Sequence, residues 1–524
     1  MRGLSRRSVL AGAPLLAGGV LLGGRADAAT TVAPPGVVRP GDTRYDELVV
    51  GNNARWVARP DEVVLATQPA HVVDAVRNAV RTGRRVTVRS GGHCYEDFVY
   101  SKDTRVVIDL STMDSVTFDA DRQAFGIEPG ATLWRVYETL FRRWGVTVPG
   151  GSCPTVGAGG HIAGGGYGEL SRLFGLTVDH LYAVDVVVVD ADGTVRLVTA
   201  TREQDDPHRD LWWAHTGGGG GNFGVVTRYW MRSAGDPSTP LPKAPAEVLV
   251  STSGLAWADL NADRFARLVR NVGRWHEVNS APDSPAAALT AIVGLNHRSA
   301  GSIGILGHVP ADRPGASELL RDFLTTAFDG VGTPTTDVRL LPWLHAVYLV
   351  GTNTPALNDP SLRADHKSAY FRRTPSEEQV AALYRNLTRD DFANPDAGAV
   401  LFSFGGRINA VAEDATAVAQ RGSILKFLAQ SFWQNPSDDA ANIAWLRDLY
   451  GEMFAATGGV PIPNDLTDGC YVNYPDTDLS DPAWNHSDVP WSTLYYKGNY
   501  PRLSQVKTRW DPTKVFHHKQ SVGS

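Results

Sequence analysis

Apolar positions recur along this chain with two different periods, and the switches between them mark out its elements. Val72, Val73, Val76 and Val80 repeat at helical spacing and predict a helix that stops near Gly83. Residues 85–89 then predict a strand that runs straight into Ser90-Gly91-Gly92-His93. A second strand is expected over 105–110, and Leu133, Val136, Leu140 and Phe141 predict a helix ending at Gly145. The chain next passes through 146–148 into the loop Pro149-Gly150-Gly151-Ser152-Cys153-Pro154. Residues 181–189 are almost wholly apolar, as in a strand covered on both faces, and Asp192-Gly193 turns them into a partner at 195–199. These elements imply an α+β domain over about residues 40–232.

Proline and small residues then dominate 233–245, which reads as a linker. From 248 to 454, amphipathic helices (265–278, 377–387) mix with strands (288–295, 400–404) and carry no nucleotide signature or metal-ligand spacing. This is the expected substrate domain. The stretch 459–524 is dense in tyrosine and tryptophan and reads as a closing element.

A chain of 524 residues exceeds what one core accommodates. Its net charge of −6, with basic residues scattered, argues against nucleic acid or an anionic membrane as partner. At the start, Arg6-Arg7 precede an alanine- and glycine-rich apolar run to Leu22, and Ala26-Asp27-Ala28 offers a small-x-small cleavage pattern. Residues 1–28 are therefore expected to be a twin-arginine signal, with the mature protein folded, loaded with cofactor and then exported. The run is too short and glycine-rich for a membrane anchor. Of the three cysteines, Cys94, Cys153 and Cys470, at least one cannot pair within the chain.

Two glycine tracts, 157–168 and 217–224, join the turn at 89–93 as candidate chemistry. The first tract lacks the strand–turn–long helix setting of a Rossmann fingerprint. Bare backbone N–H groups in such turns still cradle a pyrophosphate, so three of them in one domain point to a large anionic cofactor.

Taken in order, Arg89-Ser90-Gly91-Gly92-His93, Gly150-Gly151-Ser152-Cys153-Pro154-Thr155-Val156-Gly157 and Gly159-Gly160-His161 with Gly164-Gly165-Gly166 resemble the berberine bridge enzyme-like flavin oxidases. Asp210-Leu211-Trp212-Trp213-Ala214 with Gly218 to Thr227, and Tyr495 to Leu503 with Asp511-Pro512, Phe516 and Gln520-Ser521, extend the resemblance over nearly the whole chain. The family implies an α+β fold: a PCMH-type FAD-binding domain of the vanillyl-alcohol oxidase class, a second α+β domain whose antiparallel sheet covers the flavin, and a C-terminal segment returning to the FAD domain. It implies FAD held by two covalent bonds, from His93 to the 8α methyl and from Cys153 to C6. Arg89, Ser90, Gly91, Gly92, Gly157, Gly159, Gly160, His161, Gly166, Asn222, Gly224, Val226 and Asn473 are implied to surround it.

Alcohol oxidation needs a group to take the hydroxyl proton. The segment Tyr471-Val472-Asn473-Tyr474 resembles the family segment that supplies it, which assigns the base to Tyr474. A phenol ordinarily titrates near 10, so the phenolate needs help from the flavin edge, Lys497 or Tyr167. Relatives often carry tyrosine at the position of Phe404, which this chain expects on a strand near the flavin. Within the family, the blocks 210–227 and 471–481 look most like actinobacterial antibiotic-tailoring oxidases. The implied activity is oxidation of a secondary alcohol to a ketone on a sugar or glycosylated natural product, with oxygen as acceptor and hydrogen peroxide as product. An oligosaccharide oxidase, an oxidative ring-closing enzyme and a flavin-carrying defence protein are the alternatives.

Overall fold

The computed structural model describes residues 34–235 and 240–523; the proposed signal, 1–28, lies outside them. Among the described residues, sixteen strands form three sheets. The first joins β1 (Gly36–Val38), β2 (Glu62–Leu65), β3 (Val86–Arg89) and β4 (Val106–Asp109) in the order β1-β2-β4-β3, with β2, β4 and β3 parallel. The second comprises β5 (Val116–Asp119), β6 (Ala124–Ile127), β7 (Leu181–Val189), β8 (Val195–Thr201) and β9 (Val225–Met231), antiparallel in the order β5-β6-β9-β7-β8.

The third sheet is built from β10 (Glu247–Ala256), β11 (Thr290–Asn296), β12 (Ser302–Pro310), β13 (Thr335–Pro342), β14 (Arg363–Phe371), β15 (Ala397–Ser403) and β16 (Leu425–Trp433). Its order is β13-β10-β12-β11-β15-β16-β14, with every neighbouring pair antiparallel. The helices Ala262–Asn279, Glu377–Thr388 and Asp439–Met453 cover its outer face and leave the other toward the first two sheets. Residues 35–524 make one compact unit, so these are regions of a single body.

Local chemistry explains the helix ends. The helix Pro69–Thr82 starts with proline, whose missing N–H costs nothing in the first turn, and stops at Gly83, which takes the left-handed conformation at φ 62°. It buries Val72, Ala75, Val76 and Ala79 against Ile108, Val187 and Val225. The helix Leu133–Trp144 begins at Thr132, whose side chain accepts from Arg135 N.

The chain end returns to this first core. Phe516 sits among Val64, Ile108, Val187 and Val225 and is 3% exposed. Burying such a ring contributes roughly 1.5–3 kcal/mol. Lys507 Nζ donates to Asn222 O at 2.6 Å and to Asp511 at 2.6 Å, and Val522 N donates to Asn222 Oδ1 at 3.0 Å. The tail thereby fastens the second glycine tract at Asn222.

Candidate active site

The glycine turns meet along one side of a cavity of about 980 Å³, and the third sheet forms the other side. At the end of β3, Arg89 Nη1 donates to the buried Asp109 Oδ2 at 2.7 Å, and Ser90 Oγ donates to Pro129 O at 2.6 Å. Gly157 lies against this turn so closely that a Cβ there would stand 2.1 Å from Ser90 Oγ and 2.3 Å from Gly91 N. Gly160 and Gly220 differ: a Cβ on either would meet nothing within 4 Å, so their bare main chain faces the cavity. Arg89 Nε is buried with no partner among the described residues. Uncovered main chain beside a guanidinium suits an elongated dianion, and the cavity has the size of a cofactor site. FAD therefore fits the residues present.

Of the residues implied to surround the cofactor, Gly92, Gly159, His161, Gly224, Val226, Asn222 and Asn473 also line the cavity. Gly166 is the exception. It forms a turn at φ 66° whose inner side is filled by Thr177 and His161.

His93 and Cys153, 60 positions apart, converge on one hydroxyl. His93 Nε2 lies 3.0 Å from Thr155 Oγ1, and Cys153 Sγ lies 3.9 Å from the same atom. The two candidate nucleophiles are thus separated by no more than those distances laid end to end. His93 Nδ1 faces Asn52 Nδ2 at 3.1 Å. Burial, aided by the Arg89 charge, pushes His93 down to about 4, so its imidazole is neutral with a lone pair at neutral pH. Burial pushes the Cys153 thiol up, and Sγ donates to Asn358 Oδ1 at 3.3 Å. The sulfur keeps its proton at rest, so a resting thiolate is not what this pocket supplies.

A cluster of aromatic rings sits farther along the cavity. Tyr474 Oη and Tyr167 Oη are 2.8 Å apart, and the Tyr95 ring stacks 5.3 Å from Tyr474. Asn473 Nδ2 donates to His161 O and to Tyr471 Oη, both at 3.1 Å, which ties the 471–474 segment to the glycine tract. His161 Nε2 in turn accepts from Gly151 N at 3.2 Å, which ties the tract to the Cys153 loop. Burial pushes Tyr474 up to about 12, opposed by its bond to Tyr167.

The lysine beside these phenols is Lys426, not Lys497. Lys426 Nζ on β16 lies 2.9 Å from the Tyr167 ring centre, 4.2 Å from that of Tyr474 and 4.3 Å from that of Tyr471. It has no hydrogen-bond partner among the described residues, and burial pushes it well below the usual lysine range. The ring faces offset part of that cost by cation–π attraction. Lys497, expected as a candidate, instead binds Asp468 Oδ1 at 2.8 Å and Glu413 Oε1 at 2.5 Å; it neutralises the buried Asp468 away from the phenols.

Phe404 also departs from expectation. β15 ends at Ser403, and Phe404 turns into the core against Tyr370, with ring centres 5.1 Å apart. It does not line the cavity; Phe402 does. Sequence patterns missed Lys426, Tyr95 and His366. A lysine inside Leu425-Lys426-Phe427-Leu428 and a histidine inside an otherwise strand-like run were the available signals.

Comparison with known proteins matches this architecture. Residues 60–199 match the FAD binding domain model, and residues 470–523 match the berberine and berberine-like model. The chain is 49% identical to aclacinomycin-N/aclacinomycin-A oxidase of Streptomyces galilaeus, over 92% of this chain and 88% of that one. It is 34% identical to hexose oxidase of Chondrus crispus, over 92% and 93% of the two chains. The crystal structure of CrmK, a flavoenzyme involved in shunt product recycling in caerulomycin biosynthesis, superposes with a TM-score of 0.91 at 48% identity, covering 94% of this chain and 99% of that one. The glycine cradle, the sheet laid against it and the returning tail are the shared frame of these flavoproteins, and the chain belongs to the berberine bridge enzyme-like family of FAD-dependent oxidoreductases.

Proposed function

We propose that this oxidoreductase converts a secondary alcohol of a sugar, free or carried on a larger natural product, into a ketone, with oxygen as the final acceptor and hydrogen peroxide as product. The observation that carries the reading is the Tyr474–Tyr167 hydroxyl pair beneath Lys426 in the cavity wall. When bound, FAD supplies the acceptor for the hydride that leaves the alcohol carbon. Tyr474 Oη, as the phenolate, takes the hydroxyl proton and becomes a phenol; before that transfer Tyr167 Oη donates a hydrogen bond to the phenolate, and Lys426 Nζ beside the rings can hold the phenol's own proton and so favour the phenolate. Rings enclosing the site keep water from competing for the proton.

His93 and Cys153 attach the cofactor in this reading, supported by their convergence on Thr155 and by the neutral imidazole. The names of the relatives, an aclacinomycin oxidase and a hexose oxidase, favour a sugar alcohol as the reacting group. Export by the Arg6-Arg7 signal is part of the same proposal. The test is a panel of free hexoses, oligosaccharides and glycosides mixed anaerobically with the enzyme. The expected result is bleaching of the flavin by at least one glycosidic or free sugar and, in air, one peroxide formed per ketone. A flavin that no sugar alcohol bleaches would overturn the reading.

A further inference from the structure

The third sheet has two edges, and the chain treats them differently. β14 is mostly buried, and its outer main chain is taken up by other segments. Asn53 Oδ1 accepts from Ala364 N and Asn53 Nδ2 donates to Ala364 O, both at 3.0 Å. Tyr370 N donates to Gly469 O at 2.8 Å, and Asp468 N donates to Tyr370 O at 3.0 Å. β13, at the other edge, has every residue exposed except the half-buried Leu341. Its outward N–H and C=O groups have no main-chain partner among the described residues. Exposed edges are ordinarily guarded by shortness, a bulge, a lysine or an internal proline, because a bare ladder pairs with other chains. β13 has 8 residues in unbroken register with β10, no lysine, and proline only at its last position.

The two sides of this strand carry different chemistry. Thr336 and Val338 line an apolar groove of about 380 Å³ with Leu249, Leu320, Leu324 and Phe328, beside the helix Ala316–Phe328. Leu340 pairs with Leu249 on the same side, and Val338 and Leu340 are each 52% exposed. Toward the other side, Thr335 and Asp337 line the cavity, and Asp337 forms an exposed ion pair with Arg339 at 2.5 Å.

We propose that β13 pairs with β13 of a second copy of this chain, antiparallel about a two-fold axis through Val338, so that the two third sheets become one. Antiparallel strands related by a two-fold have the axis perpendicular to the sheet and match residues of the same side, so the axis passes through a residue position. Centred on Asp337 or on Arg339, the strands set like charges directly opposite each other, which destabilises a cross-strand pair. Centring farther out shortens the overlap. Centred on Val338, Asp337 of each copy faces Arg339 of the other, and Val338 meets Val338. Leu340 of one copy then lies opposite Thr336 of the other, beside the apolar groove, and both exposed leucines are covered. Because Asp337 lines the cavity, the second copy also brings its Arg339 to the edge of that cavity.

The experiment measures the mass of the flavin-loaded enzyme by sedimentation across a dilution series. It compares wild type, Arg339→Asp, Asp337→Arg and an incubated equimolar mixture of the two variants. Both side chains are exposed, so Tm and flavin content are expected to stay at the wild-type level. Wild type is expected to sediment at twice the chain mass. Each variant alone should dissociate at least about tenfold more readily, since like charges then face each other on both sides of the axis. The mixture should recover the dimer, because an acidic pair on one copy meets a basic pair on the other. Monomeric wild type would overturn the proposal, whatever else is found to occupy the edge. Variants as dimeric as wild type, or a mixture no more dimeric than its components, would overturn it equally.

Discussion

Thr155 is the atom-scale hinge of the cofactor site, because its hydroxyl lies within reach of both His93 Nε2 and Cys153 Sγ. If both side chains attach FAD, acid-precipitated, washed protein stays yellow. His93→Ala and Cys153→Ala each keep one bond and stay yellow, and the double variant releases its flavin into the supernatant. Colourless wild-type precipitate would contradict the assignment. These residues were legible in the sequence because each stands in a contiguous glycine-bearing motif. Lys426 and His366 were not. Lys426 sits in an apolar strand and His366 in a mixed one, and only the pairing register sets them beside Phe402 and Gln430, which line the cavity.

At the scale of elements, the contact between the turn after β3 and the 157–160 turn brings the His93 and Cys153 loops together. Their backbones meet where Gly157 would clash as any other residue, against Gly91 N and Cα as well as Ser90 Oγ. Gly157→Ala must push these turns apart. The expected cost is about 1–3 kcal/mol, as for overpacking elsewhere, seen as a lower Tm and a fall in the ratio of flavin to protein absorbance. An unchanged Tm with full flavin content would show that the turns are not held by this contact. Helix ends such as Gly83 and Gly145 were legible because capping is local. The order β13-β10-β12-β11-β15-β16-β14 was not, since it depends on which distant strands pair, and periodicity along one strand says nothing of its neighbours.

For the whole molecule, the fold gathers a working group from three distant segments: Tyr167 from the glycine tract, Lys426 from the third sheet and Tyr474 from the returning tail, with Tyr167 and Tyr474 307 positions apart. The family motifs made the two tyrosines legible, whereas the lysine beside them emerged only with the sheet in place. The account turns on Tyr474 as proton acceptor. A base works in its deprotonated form, and burial pushes this phenol up to about 12, so the rate rises with pH along a limb set by its working pKa. Lys426→Met removes the amine that can hold this phenol's proton and so moves that limb to higher pH. The deciding measurement is the rate of anaerobic flavin bleaching by a substrate sugar across pH for wild type, Tyr474→Phe and Lys426→Met. The account predicts that Tyr474→Phe, with its flavin still attached, slows by about 10²–10⁴-fold and loses the limb, and that Lys426→Met keeps the limb at higher pH. Bleaching by Tyr474→Phe within a few-fold of wild type, with the limb intact, would contradict it.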